Sequence, residues 1–191
     1  MAAFDKFEIT QHPAYRFIGK SIYIGNKGTP PASRLRFQAL CDFLWEQSGW
    51  IFEALDELNE YATDEVHNAV LIHWEKYDEK NQLFGYTIGR FMKADTPVTD
   101  DFDYIDVPEG YIAKGFVKKE DVEIKRGNAL AKFELMMEEE LKLHDQFEMV
   151  FMMAEVYPVP DENGDTYVGL YELLKLKKPA KKLFRKKEKA K

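Results

Sequence analysis

An α+β fold, a pseudo-symmetric tandem repeat of strand-helix-strand-strand units with a cleft between the repeats, is what this sequence predicts. Three observations lead there. The periodicities run strand, helix, hairpin and then strand, helix, hairpin again. Short features recur in the same order in the two halves. A carboxylate, Glu155, interrupts an otherwise apolar strand. One helix against a few strands buries a single sheet face, so each half leaves a second face for the other to meet.

The elements follow in order. Residues 15–25, YRFIGKSIYIG, are rich in aromatic and β-branched residues and run into the turn-forming GNKGTPP, which predicts a strand and a loop. After Ser33, an expected N-cap, Phe37, Leu40, Cys41, Leu44 and Trp45 match the i, i+3, i+4, i+7, i+8 template of an amphipathic helix, which Gly49 is expected to break. Ile51, Phe52, Leu55 and Leu58 predict a shorter helix toward residue 62. Residues 68–92 read as a hairpin around the polar DEKN. The acidic, proline-containing stretch 93–110 is expected to be a surface loop or the joint between halves. YIAKGFV (111–117) predicts another strand, and Asn128 an N-cap for a helix striped by Leu130, Phe133, Met137 and Leu141. The final hairpin, 149–174, turns at Asn163-Gly164, a strong hairpin signal. The domain expectation is one unit over 1–176, with repeats at about 5–95 and 105–176, and a basic tail over 177–191.

Three recurrences in the same order support duplication: Tyr15 and Gly19 against Tyr111 and Gly115, Glu75-x-Tyr77 against Glu155-x-Tyr157, and the Tyr-Gly spacings of Tyr86 and Gly89 against Tyr167 and Gly169 in the strands that follow.

Composition bounds the function. Apolar residues at 45% and aromatics at 14% give a packed core, and 32% charged residues give a soluble surface. No apolar run has the length of a membrane span and the N-terminus has no signal pattern, so the expected location is cytoplasmic. One cysteine, Cys41, excludes an internal disulfide and a cysteine-based zinc cluster. From Lys175 onward there are ten Lys or Arg and one Glu, a net +9, which leaves −16 on the rest of a chain whose total is −7. An acidic body is poor material for a DNA-binding face, while the tail suits an anionic partner: nucleic acid, lipid or the body itself.

Strand parity proposes a site. Val70, Ile72 and Trp74 form an apolar set suited to packing under helices, leaving Leu71, His73, Glu75 and Tyr77 on the other side; Val150, Met152, Ala154 and Val156 do the same for Phe151, Met153, Glu155 and Tyr157. Both Glu-x-Tyr pairs then face the cleft, with Tyr86 and Tyr167 contributed by the following strands. A mostly apolar, aromatic cleft with a carboxylate suits a flat, lipophilic and often cationic small molecule. His73 lacks a second histidine or cysteine at ligand spacing, so no metal is expected, and GNKGTPP lacks the features of a phosphate loop, so no nucleotide cofactor is expected either. Cys41 sits on an apolar helix stripe and the glutamate run 138–140 reads as a solvated helix face.

The Tyr-x-x-x-Gly strands, FLW in the first helix, FGYxxG at 84–89, VPEGYIA at 107–113 and AEVY at 154–157 together resemble the GyrI-like small-molecule-binding domain over roughly residues 5–176. That domain is the effector-binding module of multidrug-responsive transcription activators and also occurs alone. The resemblance implies a tandem strand-helix-strand-strand fold, ligands in the cleft between repeats, and a central glutamate at Glu155. The chain starts close to the first strand of the resemblance, leaving no room for a DNA-binding domain, so direct transcription activation is not expected. Three readings stand side by side. One is binding of lipophilic, aromatic and cationic xenobiotics for sensing, sequestration or detoxification. The second is hydrolysis of reactive cyclopropane-containing compounds, with Glu155 as base and Tyr157 or Tyr86 as donor. The third is protein inhibition of the gyrase type.

Overall fold

The computed structural model describes residues 4–25, 31–63, 68–76, 82–119 and 129–177. Among the described residues eight strands form one sheet: β1 (Lys6–His12), β2 (Tyr15–Gly25), β3 (Asn68–Lys76), β4 (Gln82–Lys93), β5 (Asp103–Val107), β6 (Gly110–Lys118), β7 (Phe147–Pro160) and β8 (Thr166–Leu176). Their order is β1-β6-β8-β7-β3-β4-β2-β5, with every neighbouring pair antiparallel. Helices α1 (Pro31–Glu46), α2 (Ser48–Asp56) and α3 (Ala129–Leu141) accompany it, with a 3-10 turn at Asn59–Tyr61. The molecule is an α+β fold, as expected.

Several boundaries differ from expectation. The first helix begins at Pro31, not after Ser33, which suits a residue whose missing N–H is no loss in a first turn. It ends at Glu46, and Gly49 lies inside α2. The interruption is at Gln47, where Gln47 N–H donates to Leu44 O at 3.2 Å and tightens the last turn before Gln47 O accepts from Ile51 N–H at 3.1 Å. The acidic stretch 93–110 contains β5, which pairs with β2, and β1 precedes the first expected strand and pairs with β6. Asn128, the expected cap of α3, lies outside the described residues. At the Asn163-Gly164 turn Gly164 adopts φ 84°, and the Asp161 carboxylate accepts from the backbone N–H groups of Asn163 and Asp165.

The sheet has two buried faces. On one, Phe17, Leu71, Phe91, Ile105, Ile112, Ala154, Val156, Tyr171 and their neighbours form a single cluster. That cluster joins β5 at one edge to β6 and β8 near the other, so the sheet curls until this face meets itself. The opposite face carries the helices. Ile51 and Leu55 of α2, one turn apart, and Leu44 of α1 close over Ile18, Val70, Ile72 and Ile88. Met137 of α3 closes over Ala113, Val117, Leu170 and Leu174. Tight coiling of β2 on β4 depends on Gly19 and Gly89, which stand directly opposite each other. A Cβ on Gly89 would fall 2.0 Å from Ile18 O, and one on Gly19 1.9 Å from Ile88 O. Arg90 ties the helical layer to the sheet, donating to Asp56 Oδ1 at the end of α2 (2.7 Å) and forking onto Asn68 Oδ1 (3.1 and 2.6 Å).

Candidate functional site

Register across β3 and β7 decides which side chains share a face. Val70 stands opposite Glu155, Ile72 opposite Met153, and Leu71 opposite Ala154. Glu155 and Met153 therefore share the helix-bearing face with Val70 and Ile72, while Leu71 and His73 belong to the other. The sequence expectation placed Leu71 and His73 beside Glu155; this is corrected. Parity inside each hairpin was read properly, but it does not say which set of one strand meets which set of the next, and a slip of one residue exchanges the faces.

Two rows of side chains cross the middle of the helix-bearing face. Tyr86, Ile72, Met153 and Glu172 make one, on β4, β3, β7 and β8; Ile88, Val70, Glu155 and Leu170 make the other. Glu155 is thus a half-buried carboxylate in a row otherwise built of Ile, Val and Leu. Met153 packs against both the α1–α2 cluster and the α3 cluster, so it lies at the seam between them. On the α1 side, Trp45 Nε1–H donates to Tyr86 Oη at 2.9 Å. Burial pushes the Tyr86 phenol well above its ordinary value of 10; the Trp45 hydrogen bond pulls the other way, and the charges of Cys41, Glu155 and Asp42 push it up further. The phenol is therefore neutral at physiological pH and able to donate or accept. Cys41, buried on α1, has its thiol pushed up to about 11 by desolvation and then by Asp42, so it is an inert thiol there.

The remaining expected residues are dispersed. Leu71 is fully buried in the interior cluster. His73 is buried over Gly85, whose position leaves room for the ring: a Cβ there would fall 2.2 Å from Nε2. Tyr23 also meets the His73 ring edge-on, with ring centroids 5.7 Å apart. Tyr167 is buried near the start of β8, where Lys6 Nζ sits 4.0 Å from its ring centre, opposite Lys118 on β6 and away from Glu155. Tyr157 occupies the β7 position opposite Asn68. Phe151 falls where the β7–β8 register shifts between Met149 and Met153, and Glu75 stands opposite Leu83; the side chains of Tyr157, Phe151 and Glu75, and the whole of Tyr77, lie outside the described residues. The duplication signals are also out of phase. Tyr15 belongs to the interior cluster and Tyr111 to the α3 face, and the Glu75 and Glu155 positions fall on opposite sides of the β3–β7 pairing.

Sequence reasoning missed Glu172 and the donor role of Trp45. Glu172 is buried on the same face as Glu155 and is its diagonal neighbour across β7 and β8. A Trp on a helix stripe carries an N–H that seeks a partner when buried, which was the available signal for Trp45. No group of three or more metal-binding side chains occurs among the described residues, and no described helix is long and apolar enough to cross a membrane.

No family model matches the sequence, and no curated protein matches it. The structure is similar to that of SAV2435 bound to tetraphenylphosphonium, at 13% identity, covering 89% of this chain and 94% of that one with a TM-score of 0.54. It is similar in the same degree to a candidate bacterial transcription regulation protein from Staphylococcus aureus MU50, at 14% identity over 89% of this chain and 98% of that one, TM-score 0.54. At such identity the likeness concerns the fold.

Proposed function

We propose that this chain, which folds as a GyrI-like domain, binds lipophilic aromatic cations on the helix-bearing face of its sheet, in a cleft between the α1–α2 layer and α3 centred on Glu155. The observation that carries the reading is the placement of a half-buried carboxylate in the Ile88, Val70, Leu170 row, next to the seam residue Met153. A bound organic cation adds a favourable charge interaction with the carboxylate while its rings cover the apolar floor. Tyr86, kept neutral by burial and oriented by the Trp45 hydrogen bond, supplies an aromatic wall. Tyr157 and Phe151 extend the same strand and are proposed as further contacts; Leu71, His73 and Tyr167 are not. Support also comes from the similarly folded SAV2435, whose structure holds tetraphenylphosphonium.

The two halves are proposed to be duplicated units related by a two-fold axis through the β3–β7 seam. In support, the strand order reads the same backwards when β1 and β5, β2 and β6, β3 and β7, and β4 and β8 are exchanged. Because a two-fold through the sheet keeps each face on its own side, equivalent positions are an odd number of residues apart between β3 and β7 and an even number apart between β4 and β8.

The test is calorimetric titration with tetraphenylphosphonium and with tetraphenylborate, an anion of similar shape. At about 5 Å and an effective dielectric of about 20 a charge pair is worth roughly 3 kcal/mol. Halving that for a half-exposed group predicts that Glu155→Gln weakens cation binding by about 10-fold. Equal affinity of native protein for the cation and the anion would remove the carboxylate from the account. Adding a cyclopropane-bearing electrophile to the same samples separates binding from hydrolysis: turnover by native protein and none by Glu155→Gln would assign the hydrolase reading.

A further inference from the structure

A groove of about 470 Å³ lies where α3 ends and β7 begins. Leu141, Phe147, Met149 and Leu174 make its apolar lining, and the carboxylates of Glu138, Asp145 and Glu148 stand with the ammonium groups of Lys142 and Lys177. Large apolar side chains are unusually exposed around it: Leu143 at 78%, Leu176 at 51% and Met149 at 42%. An exposed apolar surface whose lining carries three carboxylates against two lysines is net acidic and suits a basic and apolar occupant.

We infer that the occupant is the chain's own basic segment, residues 178–191, docking in cis through Leu183 and Phe184 with its lysines and arginine over the acidic rim. Three observations point to this segment. Lys177, the last described residue, itself lines the groove, and its N–H is held by Gln146 O at 2.9 Å, so the chain leaves from the rim. The segment KPAKKLFRKKEKAK carries eight Lys or Arg against one Glu, around a single Leu-Phe pair. Leu183 and Phe184 are six and seven residues beyond Lys177, an extended reach of about 20 Å, enough to double back into a groove that starts at the point of exit. The pairing has already begun within the described residues, where Lys175 Nζ lies 3.3 Å from Glu148 Oε1. Leu-Phe removes exposed apolar area and the basic residues neutralise the rim, which together explain why a basic tail and an acidic body coexist in one chain.

Hydrogen exchange with mass detection on the full chain tests this. Amides of residues 181–186 are expected to exchange at least about 10-fold more slowly than in the free peptide 178–191, and to lose most of that protection at high salt. Met149→Glu, at an exposed position the fold tolerates, is expected to abolish protection, and so is Phe184→Ser, which leaves the described fold untouched. Exchange at the free-peptide rate in the native chain would overturn the inference. Protection that rises with protein concentration, meaning the tail of a second copy, would overturn it equally. Protection that appears only with added duplex DNA and survives Met149→Glu would do the same.

Discussion

The contact between α1 and the sheet at Tyr86 offers a quantitative check on how the candidate site is held. Replacing Trp45 by Phe removes the N–H that reaches Tyr86 Oη at 2.9 Å and trims the half-buried indole. A neutral hydrogen bond is worth about 1 kcal/mol net, and the lost burial of part of an indole adds roughly another 1 kcal/mol, so Trp45→Phe is expected to cost about 2 kcal/mol. Tyr86→Phe keeps the ring and loses only the hydroxyl, a cost of about 1 kcal/mol. Because both changes remove the same bond, the double variant is expected to fall short of the sum by about 1 kcal/mol. Urea unfolding followed by far-ultraviolet circular dichroism measures all four corners of the cycle. With a slope of about 2 kcal/mol/M the largest single shift in midpoint is about 1 M. Additivity within about 0.3 kcal/mol would refute the coupling, and with it the claim that Trp45 orients Tyr86.

Other expectations follow from the same contacts. Gly89→Ala puts a methyl group 2.0 Å from Ile18 O, a backbone atom that has no rotamer with which to yield, and is expected to cost more than about 3 kcal/mol or to prevent folding, as read by thermal unfolding. Arg90→Met strips the fork that joins Asp56 and Asn68 and leaves the half-buried Asn68 amide oxygen without those donors; a loss of about 2 kcal/mol is expected, against a smaller loss for Asp56→Ala, whose carboxylate is mostly solvated. Cys41, with its folded value raised from 9.0 to about 11, contributes stability that is complete below pH 9 and is lost as pH rises through about 11. Urea midpoints between pH 9 and 11 should therefore fall more steeply in native protein than in Cys41→Ala, and iodoacetamide at pH 8 should label the native thiol far more slowly than the unfolded one.

The contrast between sequence and structure is instructive at particular residues. Strands β2, β3, β4, β6, β7 and β8 were legible because each buries both faces or alternates over many residues, and the Asn163-Gly164 turn carried its own chemistry. Edge strands β1 and β5 were not. KFEITQH and DYIDV are short, and three of the five β5 side chains and six of the seven β1 ones keep some exposure, so neither has the apolar weight of a strand read alone. Their pairing partners, β6 and β2, lie far away in sequence, which no local pattern reports. Glu155 stood out because one carboxylate broke an apolar run. Glu172 did not, since Tyr167 through Leu174 are buried on both faces and offer no alternation to break. The face on which Glu155 lies was likewise invisible, because it depends on pairing Val70 with Glu155 across 85 positions of chain.

On the proposed function the seam under Glu155, not the groove beside α3, takes the cation. Methyl-labelled methionines report both places in one spectrum, since Met153 sits at the seam and Met149 lines the groove. On titration with tetraphenylphosphonium the Met153 methyl signal is expected to move under the ring currents of the bound phenyl groups, while Met149 stays in place and Glu155→Gln needs about 10-fold more ligand for the same shift. Movement of Met149 with Met153 unchanged would contradict the account.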